Sequence, residues 1–356
     1  MTPEALLQAL VSIPSLSGDE ASAATFVAAL AEGWGYRVHR HQDNIWFEAG
    51  QGGPRLLMVS HLDTVNPCAG WVTDPWKPEW QGSVLAGLGA NDAKGCVAAM
   101  LGAAQTLAAE PPEGTVVFAF TAEEETGGTN GMGQLLSYLG ALDAALVGEP
   151  TGLEPCIAQR GMLILNCTAR GESAHAAHAA LADNAIHKAA RDISRLAAMV
   201  FEPDELLGAA RPQVTLVQGG LARNRVPDLC EFTLDMRTTP NLDHAELAEH
   251  IARALESEVA VHSARYVPKA TSAESFVALA ALAASGRKVF VGSATTSDWA
   301  FLGDLPTVKI GPGDTHRSHR PNEFLTREEL RAGTAFYLRA ARNYFALAAR
   351  EANSGA

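Results

Sequence analysis

The sequence lacks a hydrophobic run long enough to cross a membrane. Its longest uninterrupted apolar stretch, Phe276–Ala284, has nine residues, whereas a transmembrane helix needs roughly 20. The N-terminus also lacks the basic region and the long apolar segment of a secretory signal. We therefore expect a cytoplasmic protein with no membrane partner.

Cysteine and positive charge are both scarce. The five cysteines are widely separated and never form a CxxC pair, which argues against a disulfide framework and against a zinc site built from thiolates. Lys and Arg number 27 against 40 Asp and Glu, for a net charge of −13. Because a chain with this charge repels phosphate backbones, we expect no nucleic-acid partner.

The length and the composition are those of a large folded protein. With 356 residues, 47% hydrophobic and 19% charged, the chain is typical of two globular domains. Residues 1–159 alternate helical patterns, such as Asp92–Ala109, with short strand-like runs, such as Tyr36–His39, Arg55–Ser60, Thr115–Thr121 and Ala144–Gly148. This alternation predicts an α/β domain in which a mostly parallel sheet is covered by helices.

A different pattern occupies residues 160–266. Strands and helices follow one another in the order βαββαβ, from Met162–Ala169 to Glu258–Ser263, which is typical of a ferredoxin-like layer. Residues 267–356 then return to short alternating elements. We therefore predict that 1–159 and 267–356 form one discontinuous domain and that 160–266 is an inserted domain, whose exposed edge would also form a homodimer.

Acidic and imidazole side chains follow three of the predicted strands. They are His61 and Asp63, the run Glu123 to Glu125, and Glu149. The carboxyl ends of parallel strands meet at one edge of a sheet, where ligands bind. Adjacent carboxylates repel one another unless a positive charge lies nearby. Imidazole and carboxylate without thiolate suit zinc, cobalt or manganese in a catalytic site.

Two glycine-containing segments add further candidates. Gly87–Gly95 leads into a predicted helix and contains Asp92, which is either a helix cap or a metal ligand. A phosphate-binding role for this loop is disfavoured, because it matches neither GxGxxG nor GxxxxGK[ST]. Near the C-terminus, Gly311–Glu323 offers two more imidazoles, His316 and His319.

These motifs resemble those of the zinc amidohydrolases and exopeptidases that include acetylornithine deacetylase, succinyl-diaminopimelate desuccinylase, aminoacylase and carboxypeptidase G. The resemblance covers nearly the whole chain, through HLDTV, GANDAKG, AEEETGG, GEPT and HRPNE in the family's order. It implies two divalent cations, zinc first and cobalt second, in the discontinuous catalytic domain. His61 and Glu149 would bind one cation, Glu125 and His319 would bind the other, and Asp92 would bridge them.

The resemblance also implies catalytic roles. Glu124 would be the general base of an amide hydrolysis that needs no covalent intermediate, and Asp63 would orient the first metal-binding imidazole. In the inserted lid, His175 would donate to the developing oxyanion. Asn224 and Arg237 would hold the carboxylate of the substrate.

The inserted domain allows two alternative interpretations, of which the first is disfavoured and the second stays open. Ser173, His175 and Asp183 are the residue types of a serine-hydrolase triad, although no GxSxG elbow surrounds the serine. Arg237 is also placed for a simple salt bridge with Asp235 at the end of a strand.

The substrate implied by the resemblance is an N-acyl amino acid. The compact chain, with GEPTG and the later Arg160–Gly161 pair, is most similar to the N2-acyl-lysine and N2-acyl-ornithine deacylases of lysine and arginine biosynthesis. Their acyl group is either acetyl or the end of an acidic amino-group carrier protein, and the sequence leaves both open. A dipeptidase or carboxypeptidase of the same family is the alternative. A binding protein without catalysis is disfavoured, because the base and all five ligands are present.

Overall fold

The computed structural model describes residues 1–354, and the chain divides into two compact units. The first unit comprises Met1–Ile157, Thr271–Val291 and the chain from Ser297 onward. The second comprises Ala158–Ala270 and Gly292–Thr296. Along the described residues, no helix has both the length and the apolar character needed to span a membrane.

The described chain contains the following regular elements. The α-helices are α1 (Pro3–Val11), α2 (Ala21–Gly33), α3 (Lys94–Ala109), α4 (Met132–Leu135), α5 (Ala185–Ala198), α6 (His244–Ala254), α7 (Phe276–Ser285) and α8 (Arg327–Ser354). The strands are β1 (His39–His41), β2 (Asn44–Gly50), β3 (Arg55–His61), β4 (Trp80–Gln81), β5 (Val84–Ala86), β6 (Thr115–Thr121), β7 (Ala144–Val147), β8 (Cys156–Gln159), β9 (Gly161–Arg170), β10 (Pro212–Gly219), β11 (Leu229–Thr238), β12 (Glu258–Tyr266), β13 (Lys269–Ala270), β14 (Val291–Ser293), β15 (Thr307–Lys309) and β16 (Phe324–Thr326). Short 3-10 helices lie at Leu136–Tyr138, Ala176–Leu181, Asp298–Phe301 and Thr315–Arg317.

The main sheet of the first unit has parallel strands at its centre. Its order is β1-β2-β6-β3-β7-β15-β8, and β6, β3, β7 and β15 run parallel to their neighbours within that group. The outer pairs β1–β2, β2–β6 and β15–β8 are antiparallel. The α/β class predicted from the alternating patterns is therefore confirmed.

Both faces of this sheet are buried, which explains the continuous apolar runs. In β6, Val116, Phe118 and Phe120 pack into a cluster with residues of α1, α3, α7 and α8. Val117 and Ala119 point to the opposite face and pack into a second cluster. Successive side chains of a strand point to opposite faces, so a strand covered on both sides must be apolar throughout.

Two predicted element bounds differ from the structure. The sequence pattern predicts a strand at Tyr36–His39, but β1 begins only at His39. The Tyr36 ring instead stacks on Phe47 with the ring centroids 4.8 Å apart, and its hydroxyl donates to the carbonyl of Ala104. The helix predicted from Asp92 begins at Lys94, because contacts with the C-terminal segment hold the preceding loop, as described below.

The second unit has a four-stranded antiparallel sheet of order β10-β11-β9-β12. With α5 between β9 and β10 and α6 between β11 and β12, the order along the chain is βαββαβ. One face is apolar: Leu163 and Leu165 of β9 and Phe232 and Leu234 of β11 are buried with residues of both helices. The predicted ferredoxin-like insertion is confirmed.

A small sheet of order β16-β5-β4 joins the C-terminal segment to the loop that contains Asp92. Strand β16 pairs with β5 in antiparallel register, with Phe324 opposite Ala86. Just outside this pairing, the amide of Gly87 donates to the carbonyl of Glu323 at 2.9 Å. This sheet therefore aligns two segments that lie more than two hundred residues apart along the chain.

Candidate metal centre

The parallel strands of the first unit deliver polar side chains to one edge of the sheet. Strand β3 ends at His61, in register with Thr121 at the end of β6. Strand β7 ends at Val147, opposite Val59 of β3, two residues before Glu149. The shared register brings the residues after β3, β6 and β7 to the same level, as expected from the sequence.

His61 is held by the backbone and side chain of Asp63. The imidazole is 1% exposed, and its Nδ1 lies 3.1 Å from the Asp63 carbonyl and 3.4 Å from Oδ1. Its Nε2 lies 3.4 Å from Oδ1 of Asp92 and 4.0 Å from Oε1 of Glu149. Nδ1 thus faces Asp63 and Nε2 faces the two carboxylates, and a metal-binding imidazole commonly has one ring nitrogen held by a carboxylate or carbonyl while the other faces the ion.

The turn after β6 directs two of the three consecutive glutamates toward Asp63. Glu123 adopts a left-handed backbone conformation with φ 55°, and its carboxylate accepts from the amide and side chain of Asn130. The amides of Glu124 and Glu125 donate to Asp63 at 3.1 and 3.0 Å. The positive φ turns the chain within the acidic run, so Glu123 is used structurally.

Asp92 lies between the two candidate metal-binding histidines. Its Oδ1 faces His61, and its Oδ2 lies 3.7 Å from Nε2 of His319. His319 Nε2 in turn lies 2.9 Å from Oε2 of Glu125. One carboxylate with an imidazole on each oxygen has the geometry of a bridging ligand.

His316 does not compete for this position. It lies on the 3-10 turn just before His319 and is largely exposed, with its Nδ1 2.8 Å from Oδ1 of Asp314. His319 is the imidazole of this segment that faces the carboxylates.

Two overlapping groups of side chains have ligand atoms within 4.8 Å of one another. The first contains His61, Asp92 and Glu125, and the second contains His61, Glu124 and Glu149. The groups share the buried imidazole, and His319 adjoins the first one. Oxygen and nitrogen donors in this number suit one or two divalent cations of the zinc and cobalt type.

The electrostatics of the cluster also favour a bound cation. Burial raises the pKa of Glu149 to about 8, with Lys309 opposing and the charge of Asp92 adding to the effect. Burial likewise raises the pKa of Glu124 well above its usual range. The hydrogen bond to Glu125 raises the pKa of His319 to about 9. Since crowded carboxylates disfavour their own ionisation, a divalent cation at this position would relieve the repulsion.

The loop before α3 is not an anion cradle. The amides of Asn91 and Asp92 both donate to Oε1 of Glu323 at 2.8 Å. Because a carboxylate already occupies these donors, a phosphate would find none of them free. This agrees with the interpretation that the sequence favours.

The structure reveals acidic and basic residues that the sequence analysis did not single out. Asp298 is buried and accepts from the Thr121 hydroxyl at 2.7 Å, and burial raises its pKa to about 6. Burial lowers the pKa of Lys94 to about 7. Glu20 accepts from the amide of Glu123 at 3.0 Å. Of these residues, only Lys94 could have been found from the sequence, because it is a cation in the loop that contains Asp92.

The predicted lid residues all lie in the second unit. His175 and Asn224 are on neighbouring segments, because the amide of Ala176 donates to the Asn224 carbonyl at 2.9 Å. Both side chains are exposed. Arg237 makes the contact considered as its alternative, with Nε 3.0 Å from Oδ1 of Asp235.

The serine-hydrolase alternative has no support in the geometry. The hydroxyl of Ser173 donates to the Val226 carbonyl at 3.0 Å and accepts from Nε of Arg225 at 2.6 Å. Nδ1 of His175 accepts from the amide of Ala177 at 3.1 Å. The serine and the histidine thus have other partners.

Comparisons of the sequence with known proteins find a family and a relative that match most of the chain. The family model described as peptidase family M20/M25/M40 matches residues 57–343. The chain is 30% identical over 347 residues to a succinyl-diaminopimelate desuccinylase of Rhizorhabdus wittichii, an alignment that covers 87% of this chain and 89% of the relative.

Solved structures show the same fold. A tripeptidase of Staphylococcus aureus superposes with a TM-score of 0.83 at 21% identity, covering 97% of this chain and 98% of the other. A Bacillus subtilis protein described as a dinuclear metal-binding peptidase of the M20 family gives 0.75 at 18% identity, covering 96% of each chain.

Proposed function

The chain belongs to peptidase family M20/M25/M40 and is a metallo-hydrolase of amide bonds; from that membership we propose that it removes the acyl group of an N-acyl amino acid. The observation that carries the proposal is the cluster of imidazole and carboxylate groups within 4.8 Å of one another at the sheet edge. We propose N2-acyl-lysine or N2-acyl-ornithine as substrate, and the cytoplasm as the place of reaction.

We propose that the cluster binds two divalent cations, with zinc as the first choice and cobalt as the second. His61 and Glu149 would bind one cation, Glu125 and His319 would bind the other, and Asp92 would bind both. The 3.4 Å and 3.7 Å approaches of the two Asp92 oxygens to the two imidazoles support the bridging assignment. When bound, such ions supply Lewis-acid polarisation of the scissile carbonyl and a lowered pKa for water.

We assign Glu124 as the general base. Its carboxylate belongs to the cluster, and its pKa, raised by burial, suits a group that must take up a proton near neutral pH. Glu124 would accept a proton from the attacking water and deliver it to the departing amine. Asp63, which the amides of Glu124 and Glu125 approach within hydrogen-bond distance, would hold both the base and His61 in place.

The roles proposed for the second unit rest on the family resemblance. His175 would donate a hydrogen bond to the developing oxyanion. Asn224 and Arg237 would bind the α-carboxylate of the substrate, for which Arg237 must exchange its contact with Asp235. We also propose that this unit forms the contact of a homodimer.

The choice of a basic amino acid rests on the charge of the chain, and the choice of an N-acyl amino acid rests on its relative. A net charge of −13 favours a cationic lysine or ornithine side chain, and the Rhizorhabdus relative is named for removing an acyl group from an amino acid. The acyl group is acetyl or the end of an acidic carrier protein. A dipeptidase or carboxypeptidase is the second candidate, favoured by the tripeptidase with the same fold.

Release of free amine separates these candidates. N2-acetyl-lysine, N2-acetyl-ornithine, N-succinyl-diaminopimelate and unblocked dipeptides would be compared after EDTA treatment and after zinc or cobalt is restored. We expect metal-restored cleavage of the acetylated basic amino acids. Cleavage of dipeptides alone would assign the chain to the peptidases. Cleavage of the succinylated substrate alone would refute the choice of lysine and ornithine.

A further inference from the structure

The carboxylate of Glu323 contacts the loop that carries the proposed bridging ligand. Glu323 is 2% exposed, and its Oε1 accepts from the amides of Asn91 and Asp92 at 2.8 Å each. Its own carbonyl accepts from Gly87 at 2.9 Å. One buried residue therefore fixes the loop at Gly87 and again immediately before the Asp92 side chain.

These two amides determine where the Asp92 carboxylate lies. Residues 91 and 92 precede α3, which begins at Lys94, so the carbonyls of a preceding helical turn do not hold them. A buried amide without an acceptor is costly, and Glu323 supplies that acceptor. If the acceptor were lost, the loop would rotate to find another, and the Asp92 oxygens would leave the two imidazoles.

Glu323 also couples this loop to the segment that carries His319. Glu323 and His319 lie four positions apart along the chain. Asn91 connects the same loop to this C-terminal segment a second time: its Nδ2 donates to the Asp314 carbonyl at 3.1 Å, and its Oδ1 accepts from the Asp314 amide at 2.8 Å. Moving Glu323 would therefore change the distance between Asp92 and His319, which is 3.7 Å for the facing atoms.

The start of α3 has an anchor of its own. The ammonium group of Lys94 is buried and donates to the carbonyls of Leu10 at 3.1 Å and Ile13 at 2.7 Å. Because this anchor does not involve the Glu323 hydrogen bonds, we expect replacement of Glu323 to disturb chiefly the loop that places Asp92. The negative charge of Glu323 also favours the charged form of Lys94, and E323D retains that charge.

We propose that Glu323 is a positioning residue for metal binding, one that sets the Asp92 carboxylate between His61 and His319 by accepting the amides of Asn91 and Asp92. The inference rests on the proposed two-metal function. It concerns the hydrogen-bond acceptor of Glu323, because Oε1 makes both contacts. A Gln at this position keeps the oxygen and removes the charge, and it therefore separates the acceptor from the electrostatic interaction of Glu323 with Lys94.

The test compares E323A, E323Q and E323D as full-length proteins. Zinc and cobalt affinities would be measured by chelator competition, together with the cobalt absorption spectrum. We expect E323A to lower the affinity by about 10- to 100-fold, as for other residues that orient a ligand. E323Q, which keeps an oxygen acceptor of the same length, should restore the affinity and the spectrum. E323D, which retracts the acceptor by one methylene, should fall between them.

Asp192 provides the matched control. It is a fully buried carboxylate that, like Glu323, accepts from two successive backbone amides, those of Glu256 at 3.0 Å and Ser257 at 2.8 Å, and it lies in the second unit, whereas the proposed ligands lie in the first. D192A should lower stability without changing metal affinity. If E323A behaves like D192A, Glu323 is only structural and the inference is wrong.

A second background isolates the route through Asp92. In D92N, replacing Glu323 should have little further effect on metal affinity if Glu323 acts through Asp92, because coupled residues are not additive. An undiminished effect of E323D in that background would overturn the proposal. If E323A does not fold, E323D and E323Q decide the question. Failure of the unmodified protein to bind either metal would refute the proposed function instead.

Discussion

Replacement of Asp63 tests the structural support of the metal centre. Asp63 is fully buried and accepts from the amides of Glu124 and Glu125 and from the Ser17 hydroxyl at 2.7 Å. In Asp63→Ala the two amides lose their acceptor. An unpaired donor costs about 1–3 kcal/mol when fully buried, and since these amides are partly buried, roughly 6 kcal/mol is the upper limit of the combined loss. Asp63→Asn keeps one oxygen and should lose about half as much.

The same substitutions should weaken the metal site. Asp63 faces Nδ1 of His61, and loss of such a partner typically lowers metal affinity by about 10- to 100-fold. Urea unfolding of the metal-free protein would measure the stability term, and chelator competition with zinc would measure the affinity term. Both should decrease in the order wild type, Asn variant, Ala variant.

Asp74→Asn is the control for this experiment. Asp74 is an exposed loop carboxylate that accepts from the amide of Trp76 at 3.0 Å, and its replacement should leave stability and zinc affinity unchanged within experimental error. Our account of Asp63 would be refuted if the metal-free Asp63→Ala variant were as stable as the wild type and its zinc affinity were unchanged.

Three further predictions follow from the site and the second unit. Glu124→Gln should retain metal and lose about 10²- to 10⁴-fold in turnover, and wild-type rates would eliminate Glu124 as the base. His61→Ala should bind less metal by elemental analysis after dialysis, whereas full occupancy would remove it from the ligand set. Burial lowers the pKa of His244 in the folded protein. Below the ordinary histidine pKa of about 6.5, His244 therefore binds protons more readily in the unfolded chain than in the folded one. The free energy of unfolding should consequently fall as the pH drops below that value. His244→Gln should flatten this dependence in urea titrations at several pH values, and an unchanged slope would contradict it.

Sequence patterns predicted the parts of the fold that depend on local periodicity. The runs at Arg55–Ser60 and Thr115–Thr121 became central strands, since a strand buried on both faces must be apolar throughout. The βαββαβ order gave the second unit. The family that the motifs resemble is confirmed by the family model and the curated relative.

The contacts that support the candidate site were harder to predict. Glu323 and Asp92 are separated by 231 positions along the chain, and nothing in the sequence around either residue indicates their contact. Asp298 likewise reaches Thr121 across 177 positions. Such partners are fixed by tertiary packing, whereas the candidate ligands were found because each follows a recognisable strand or motif.

The place of β15 in the sheet has a consequence for synthesis of the chain. Strand β7 is complete at Val147, but its parallel neighbour β15 begins only at Thr307. While the ribosome makes the intervening residues, one side of an apolar strand has no partner, and unpaired strand edges promote aggregation. A nascent chain arrested before Thr307 should therefore depend on chaperones, and an expressed fragment of residues 1–159 should aggregate more readily than the full chain.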